Sequence, residues 1–396
     1  MSAQPGRTAG PAKTHLRSLT GMRFFAAAGV FLFHGGAAVH VFASGTAHQT
    51  YGAAFGQAGW SAVSFFFVLS GFVLTWSARP NDTKGAFWLR RVAKVWPNHV
   101  VTFVAAALLI TLVAGRTLNA ADAVPNLFLV HSWIPRPSAA MSVNTVSWSL
   151  ACEALFYLCF PLLLPLIRRI RPERLWAWAL GVVGLTFLIA LAAYALPAEP
   201  AWPVATGSLW RNWFVYLLPV SRLPEFVLGI LLARIVLTGR KLPLGFGGSV
   251  ALTVVAYAVA SLFPGATVTM VAVTVLPLGL VIAAGAAAES EGRPTLLSGR
   301  TMVWLGEVSF AFYMCHLLVL RYGLLWLAPG THPTPVALGL LTLAFVGTTA
   351  LAWLMFVLVE RPITRRVSSH LRRRAARTAG DGPARAGATD PSPAAP

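Results

Sequence analysis

Apolar residues in this chain fall in long runs, separated by short stretches where arginine, lysine, proline and glycine collect. Runs long enough to cross a hydrocarbon layer roughly 30 Å thick as helix lie near residues 22–42, 58–77, 95–115, 145–167, 175–196, 213–233, 244–263, 266–288, 301–327 and 335–358. The expected fold is all-α: a polytopic helical membrane bundle of about ten spans occupying residues 21–362. Residues 1–20 are expected to form a cytoplasmic N-terminal segment. Residues 363–396 are expected to be a disordered, basic cytoplasmic tail, because a stretch such as RRRAARTAGDGPARAGATDPSPAAP cannot build a core.

An even number of spans places both termini on one side, and on that side fall 26 of the 31 lysines and arginines. The opposite loops hold only Arg116, Arg136 and Arg211, while Arg222 and Arg321 lie within spans. The positive-inside bias makes the richer side cytoplasmic, so the expected location is the cell membrane with both termini in the cytoplasm. The first run is long enough to span and follows a polar, basic leader, so it is expected to remain as an anchor rather than be cleaved. The opposite loops are short, the longest near 116–142 and 197–212, so chemistry belongs within the bundle or at its mouths.

Composition excludes a soluble globular domain: 57% of the 396 residues are hydrophobic, 11% are charged, and the mean hydropathy is +0.69. A net charge of +19 could suggest a nucleic-acid partner, but that requires basic residues on a soluble face, and here they sit between apolar spans. No nucleic acid is expected. Anionic lipid headgroups of the bilayer or an anionic cytosolic substrate fit better. Cys152, Cys159 and Cys315 lie in apolar segments without CxxC spacing, so neither a disulfide framework nor a metal site is indicated.

Ionisable residues inside spans are costly and mark candidate sites. In RFFAAAGVFLFH, Arg23 and His34 are separated by ten apolar or glycine residues. Eleven helical steps carry His34 about 16 Å beyond Arg23, so if Arg23 lies at one membrane face the imidazole lies near the midplane. Gly35 and Gly36 leave room beside it for a ligand or another backbone. Glu153 shares a helical face with Ser149 and Tyr157 and reads either as a structural carboxylate or as a catalytic one. Arg222 and Glu225, three apart, read as an ion pair that fixes packing or as functional charges. Glu307, His316 and Arg321 complete the set, His316 being suited to a hydrogen bond between helices.

A second concentration is cytoplasmic, in FWLRRVAKVWPNH at 87–99. Arg90, Arg91 and Lys94 follow one another at the start of a helix with Trp88 and Trp96 beside them, an arrangement suited to a di- or triphosphate-bearing nucleotide. The alternative is an ordinary positive-inside flank with interfacial tryptophans.

In order and spacing, these segments resemble the acyltransferase-3 family of integral membrane acyltransferases. The resemblance runs from about residue 17 to 362 and rests on Arg23 with His34, SFFFVLSGF at 64–72, RRVAKVWP at 90–97, WSLACEALFY at 148–157, RLPEFVLGILLA at 222–233, LGEVSFAFYMCH at 305–316 and ERP at 360–362. It implies an enzyme that takes an acyl group, often acetyl, from cytosolic acyl-CoA. The acyl group goes to a hydroxyl of a carbohydrate or glycosylated natural product, such as a surface polysaccharide or a macrolide antibiotic. Acyl-CoA is then the donor substrate, and no tightly bound cofactor is implied. The residues matching the family's essential pair are His34 and Arg23. Those matching its donor-site motif are Arg90, Arg91 and Lys94. The chain departs from the family pattern at Lys94, usually arginine, and at His99, usually tyrosine; lysine keeps the charge without the bidentate geometry. Some members carry a fused extracytoplasmic esterase-like domain, which this chain is expected to lack.

The chemistry then requires a base, because an alcohol does not attack a thioester unaided at neutral pH. His34 fits that role, with Glu153 a second catalytic candidate and Arg23 on the phosphates or pantetheine arm of the donor. Direct transfer and an acyl-histidine relay both remain open. Ser70, Asn144 and Ser149 are oxyanion candidates by motif. The alternative function is a secondary transporter or flippase for a sugar-containing metabolite, with the same His, Glu and Arg residues as a proton relay.

Overall fold

A computed structural model describes residues 16–79, 82–202, 207–293 and 295–380. Among these residues the chain is helical throughout, with no strand and only two isolated bridges, Phe42 to His332 and Ala201 to Ser208. The principal helices are α1 (Arg17–Ala37), α2 (Gly45–Phe55), α3 (Ala58–Trp76), α4 (Lys84–Leu108), α5 (Ala120–Leu127), α6 (Trp148–Arg168), α7 (Leu175–Ala192), α8 (Pro219–Leu237), α9 (Phe246–Ser261), α10 (Ala272–Ser290), α11 (Arg300–Leu318), α12 (Thr334–Met355) and α13 (Arg361–Gly380). Seven helical stretches among the described residues are long and apolar enough to cross a membrane. Outside that set, α1 carries Arg17, Arg23 and His34, α8 carries Arg222, Glu225 and Arg234, and α9 is only 16 residues long. The protein is thus an all-helical, multi-pass membrane protein.

Helix starts follow local capping chemistry. Ser44 accepts from the Ala47 N–H at 3.2 Å to open α2, and Thr83 accepts from the Ala86 N–H at 3.2 Å to open α4. Among the described residues single π-turns close or continue long helices at Leu109–Val113, Val319–Gly323 and Phe356–Glu360, and a fourth, Trp213–Leu217, follows a four-residue helix, Leu209–Asn212. On the periphery, Leu158, Leu162 and Leu166 form an exposed i, i+4 stripe on α6, the pattern of a lipid-facing helix.

The centre is built on small residues. A side chain at Gly71 of α3 would start 2.0 Å from the Phe226 carbonyl oxygen, and one at Gly229 of α8 would start 2.0 Å from that of Val68. Backbone therefore rests on backbone where α3 crosses α8. Next to this crossing, α1 packs against α3 on one side and α11 on the other, which sets His34 against His316.

Two expectations change. The space at Gly35 and Gly36 is filled by the Tyr51 ring of α2, whose atoms would lie 2.9 Å and 2.8 Å from added side chains there. The neighbours there are side chains, Tyr51 and, at Gly35, Leu341, rather than another backbone. Residues 363–380, expected to be disordered, belong to α13, because this part of the tail is rich in the helix formers alanine and arginine. Residues 1–15 and 381–396 lie outside the described residues, and α1 already starts at Arg17.

The 116–147 connection is folded rather than a plain loop. Arg136 pairs with Asp122 at 2.9 Å, and Asn126 donates to the Ser142 carbonyl at 2.8 Å. His99 of α4 donates through Nε2 to the carbonyls of Asn126 and Leu127, each at 3.1 Å, which ties α5 to the bundle. Burial pushes His131 down to about 3, so it meets the Ser147 hydroxyl, 3.3 Å away, as a neutral ring.

Candidate active site

Two cavities enter the bundle from opposite ends of α1. The first, about 520 Å³, is lined by His34, Trp60, Trp148, Asn212, Tyr216 and Arg321, among others, with Arg116 and Asp122 from the 116–147 segment. The second, about 450 Å³, is lined by Arg23, Ser70, Arg91, Lys94, Ser149, Glu153 and Tyr157, among others. Val63 and Tyr313 line both.

At the first cavity the chain orients an imidazole. His316 is fully buried, and its Nδ1 lies 2.6 Å from the Tyr313 carbonyl oxygen. A carbonyl only accepts, so this nitrogen carries the proton and the neutral ring presents Nε2 as an acceptor. That Nε2 lies 3.0 Å from Nδ1 of His34, which is also 3.0 Å from the Val30 carbonyl. Placed between two acceptors, His34 Nδ1 carries its proton. The lone pair of neutral His34 therefore resides on Nε2, which makes no protein hydrogen bond among the described residues. A base held by a second group that is held in turn by a third is the arrangement that activates a hydroxyl nucleophile.

The second cavity is cationic. Arg91 lies with its guanidinium carbon 5.9 Å from the centre of the Tyr157 ring, and its buried Nε has no hydrogen-bond partner among the described residues. Lys94 pairs with Glu360 of the ERP segment, whose other oxygen accepts from Asn98 at 2.7 Å. Tyr157 donates to Glu153 at 2.7 Å. Glu153, Ser149 and Tyr157 do share one face, as their spacing implied, and it faces this cavity. Glu153 and His34 line different cavities.

Arg23 lines the second cavity, one end of α1 away from His34. Arg90 forms an ion pair with Asp82 and lines neither cavity. Trp88 donates to the Tyr157 carbonyl at 3.1 Å, so the aromatic face beside Arg91 is a tyrosine rather than an indole. Glu307 is exposed and lines neither cavity. Arg222 and Glu225 form a fully buried pair at 3.1 Å. The guanidinium also lies 4.4 Å and 5.0 Å from the ring centres of Tyr216 and Phe67. Asn144 donates to the Met314 carbonyl at 3.0 Å and lines neither cavity, whereas Ser70 and Ser149 line the second. Tyr313 and Glu360 were not singled out from the sequence; the available signal was their position in the LGEVSFAFYMCH and ERP segments.

A family model described as an acyltransferase domain, Acyl_transf_3, matches residues 16–357. The chain is 42% identical over 323 residues to acyltransferase MdmB of Streptomyces mycarofaciens, covering 79% of this chain and 81% of that protein. It is 26% identical over 239 residues to O-acetyltransferase OatA of Staphylococcus aureus, covering 56% of this chain and 35% of that protein. It is 25% identical over 336 residues to nodulation protein 10 of Rhizobium leguminosarum bv. viciae, covering 79% and 84%. No solved structure matches the chain.

Proposed function

From the premise that the chain belongs to the acyltransferase-3 family and is a membrane O-acyltransferase, we propose that it moves an acyl group, acetyl in the simplest case, from cytosolic acyl-CoA to a hydroxyl of a carbohydrate or glycosylated natural product. The bundle then has ten spans with both termini in the cytoplasm, so the second cavity opens to the cytosol and the first to the opposite face.

The donor enters the second cavity. Arg91 and Lys94 meet the phosphates of CoA, Arg23 meets the phosphates or the pantetheine arm, and the thioester points toward Tyr313. The acceptor enters the first cavity, where Trp60 and Trp148 offer faces to a sugar ring. The acceptor oxygen forms a bond to the thioester carbon as its proton passes to His34 Nε2. The tetrahedral intermediate then collapses with cleavage of the C–S bond, and the CoA thiolate takes the proton from the imidazolium. Proton transfer of this kind contributes roughly 10²- to 10⁴-fold.

The observation that carries the reading is the commitment of His34 Nδ1 to Val30 and His316, which leaves the basic nitrogen on the ring edge that lacks a protein partner. Family membership argues for catalysis over transport. The test uses purified full-length protein in detergent with labelled acetyl-CoA and a panel of glycosides. His34→Ala abolishes transfer while the thermal melting profile is unchanged; retention of native turnover rejects His34 as the base.

A further inference from the structure

The donor and acceptor occupy different cavities, yet the bond-forming atoms have to meet, and they can meet only at the wall the cavities share. Two side chains line both, Val63 and Tyr313. Val63 is apolar, so among the described residues Tyr313 is the one with a polar side chain that lines both.

That hydroxyl belongs to a small triangle. Tyr313 Oη lies 3.0 Å from the Val146 carbonyl and 2.8 Å from Ser149 Oγ, which itself lies 3.2 Å from the same carbonyl. Two hydroxyl donors thus serve one carbonyl oxygen. If Ser149 donates to Val146, the Tyr313 proton is free to turn away, at the cost of one hydroxyl-to-hydroxyl bond. The same residue fixes the base, since its backbone carbonyl accepts from His316, which holds His34.

Resting on the reading above, we propose that Tyr313 is a catalytic residue that donates a hydrogen bond to the thioester carbonyl oxygen as it becomes an oxyanion, with Ser149 holding Val146 in its place. The proton stays on the phenol throughout. The acceptor proton still travels to His34 and then to the CoA thiolate, so the reaction balances without an additional acid. A donor placed where charge develops is worth about 10²- to 10³-fold in kcat.

The experiment takes full-length protein in detergent with acetyl-CoA as donor and octyl glucoside as sugar acceptor, and compares Tyr313→Phe with proteins carrying fluorotyrosines of graded acidity at position 313. The expected result is a kcat for Tyr313→Phe lower by about 10²- to 10³-fold, a KM for acetyl-CoA within about twofold of native, and a kcat that tracks phenol acidity across the fluorinated series. A kcat within a few-fold of native overturns the proposal. So does a loss matched by an equal rise in KM, or a flat response to fluorination, either of which marks Tyr313 as packing only. His34→Ala run alongside separates the two claims: inactivity there with native Tyr313→Phe sinks this inference alone, whereas native activity in His34→Ala sinks the underlying mechanism.

Discussion

His316 holds His34 from behind: its Nε2 lies 3.0 Å from His34 Nδ1, while its own Nδ1 lies 2.6 Å from the Tyr313 carbonyl. The relay crosses from α11 to α1, so tertiary packing sets the tautomer of the first-helix histidine. Replacing His316 with phenylalanine keeps a ring in the core but removes the acceptor. We expect kcat to fall on the order of 10²-fold, because His34 can then carry its proton on either nitrogen. KM for acetyl-CoA changes little, since the cationic cavity is untouched. His316→Gln, which retains an acceptor, restores part of the loss. Steady-state kinetics of the three proteins decide; a change confined to KM would show that His316 does not act through His34.

Adjacent arginines are expected to behave differently. Arg91 lines the second cavity, whereas Arg90 is committed to Asp82 on a partly exposed surface. Losing a charge-assisted contact to phosphate is worth about 1.5–3 kcal/mol, so Arg91→Ala raises KM for acetyl-CoA by roughly ten- to a hundredfold. Arg90→Ala removes an ion pair of the kind worth about 0–1 kcal/mol and leaves KM within a few-fold. Equal effects from the two substitutions would return Arg90 to the donor site.

Direct attack leaves no acylated protein behind. Protein mixed with labelled acetyl-CoA in the absence of acceptor, quenched and mapped by peptide mass spectrometry, should carry no label on His34. An acetyl group found there would replace the base role by a covalent relay.

Much of this organisation was legible in the sequence, and the rest was not, for identifiable reasons. Apolar runs announced the helices because a helix in lipid must satisfy its own backbone and present apolar side chains. Arg23 and His34 announced themselves because charge inside such a run is costly; that they line two different cavities emerges only from the fold. The tyrosine at 313 was not legible: in an aromatic-rich helix it looks like core, and only its position against α6 and both cavities distinguishes it. The Arg90 ion pair was equally hidden, since adjacent basic residues read alike until the chain places Asp82 beside one of them. Gly35 and Gly36 announced a close approach but not its occupant, and the occupant, Tyr51, comes from a helix too short to be read as a span.

The α3–α8 crossing sets a strict limit on side-chain size. Gly71→Ala puts a methyl group 2.0 Å from the Phe226 carbonyl oxygen, where nothing flexible can yield. The substitution should lower the melting temperature in detergent sharply and reduce yield. Gly181 on α7 has nothing within 4 Å of an added side chain, so Gly181→Ala should be neutral or stabilising by up to about 1 kcal/mol, the ordinary helix preference for alanine. If both substitutions melt alike, close backbone packing is not what holds these helices.

The buried pair of Arg222 and Glu225 separates a structural charge from a functional one. Both side chains have no exposed surface, and Arg222 Nε, Arg222 Nη1 and Glu225 Oε1 make no hydrogen bond among the described residues. Such a pair holds little net stability relative to apolar residues of similar volume, yet breaking it strands a charge. Arg222→Met alone should therefore destabilise by about 3–5 kcal/mol, and Glu225→Leu alone similarly. The double substitution Arg222→Met with Glu225→Leu should cost much less than either, giving a strongly non-additive cycle in thermal or denaturant unfolding. Transfer activity should follow stability, with the double variant close to native. A double variant that folds well but no longer transfers acetyl would mean that the pair takes part in the reaction, and that charge behind Tyr216 and Phe67 is felt in the cavities those rings line.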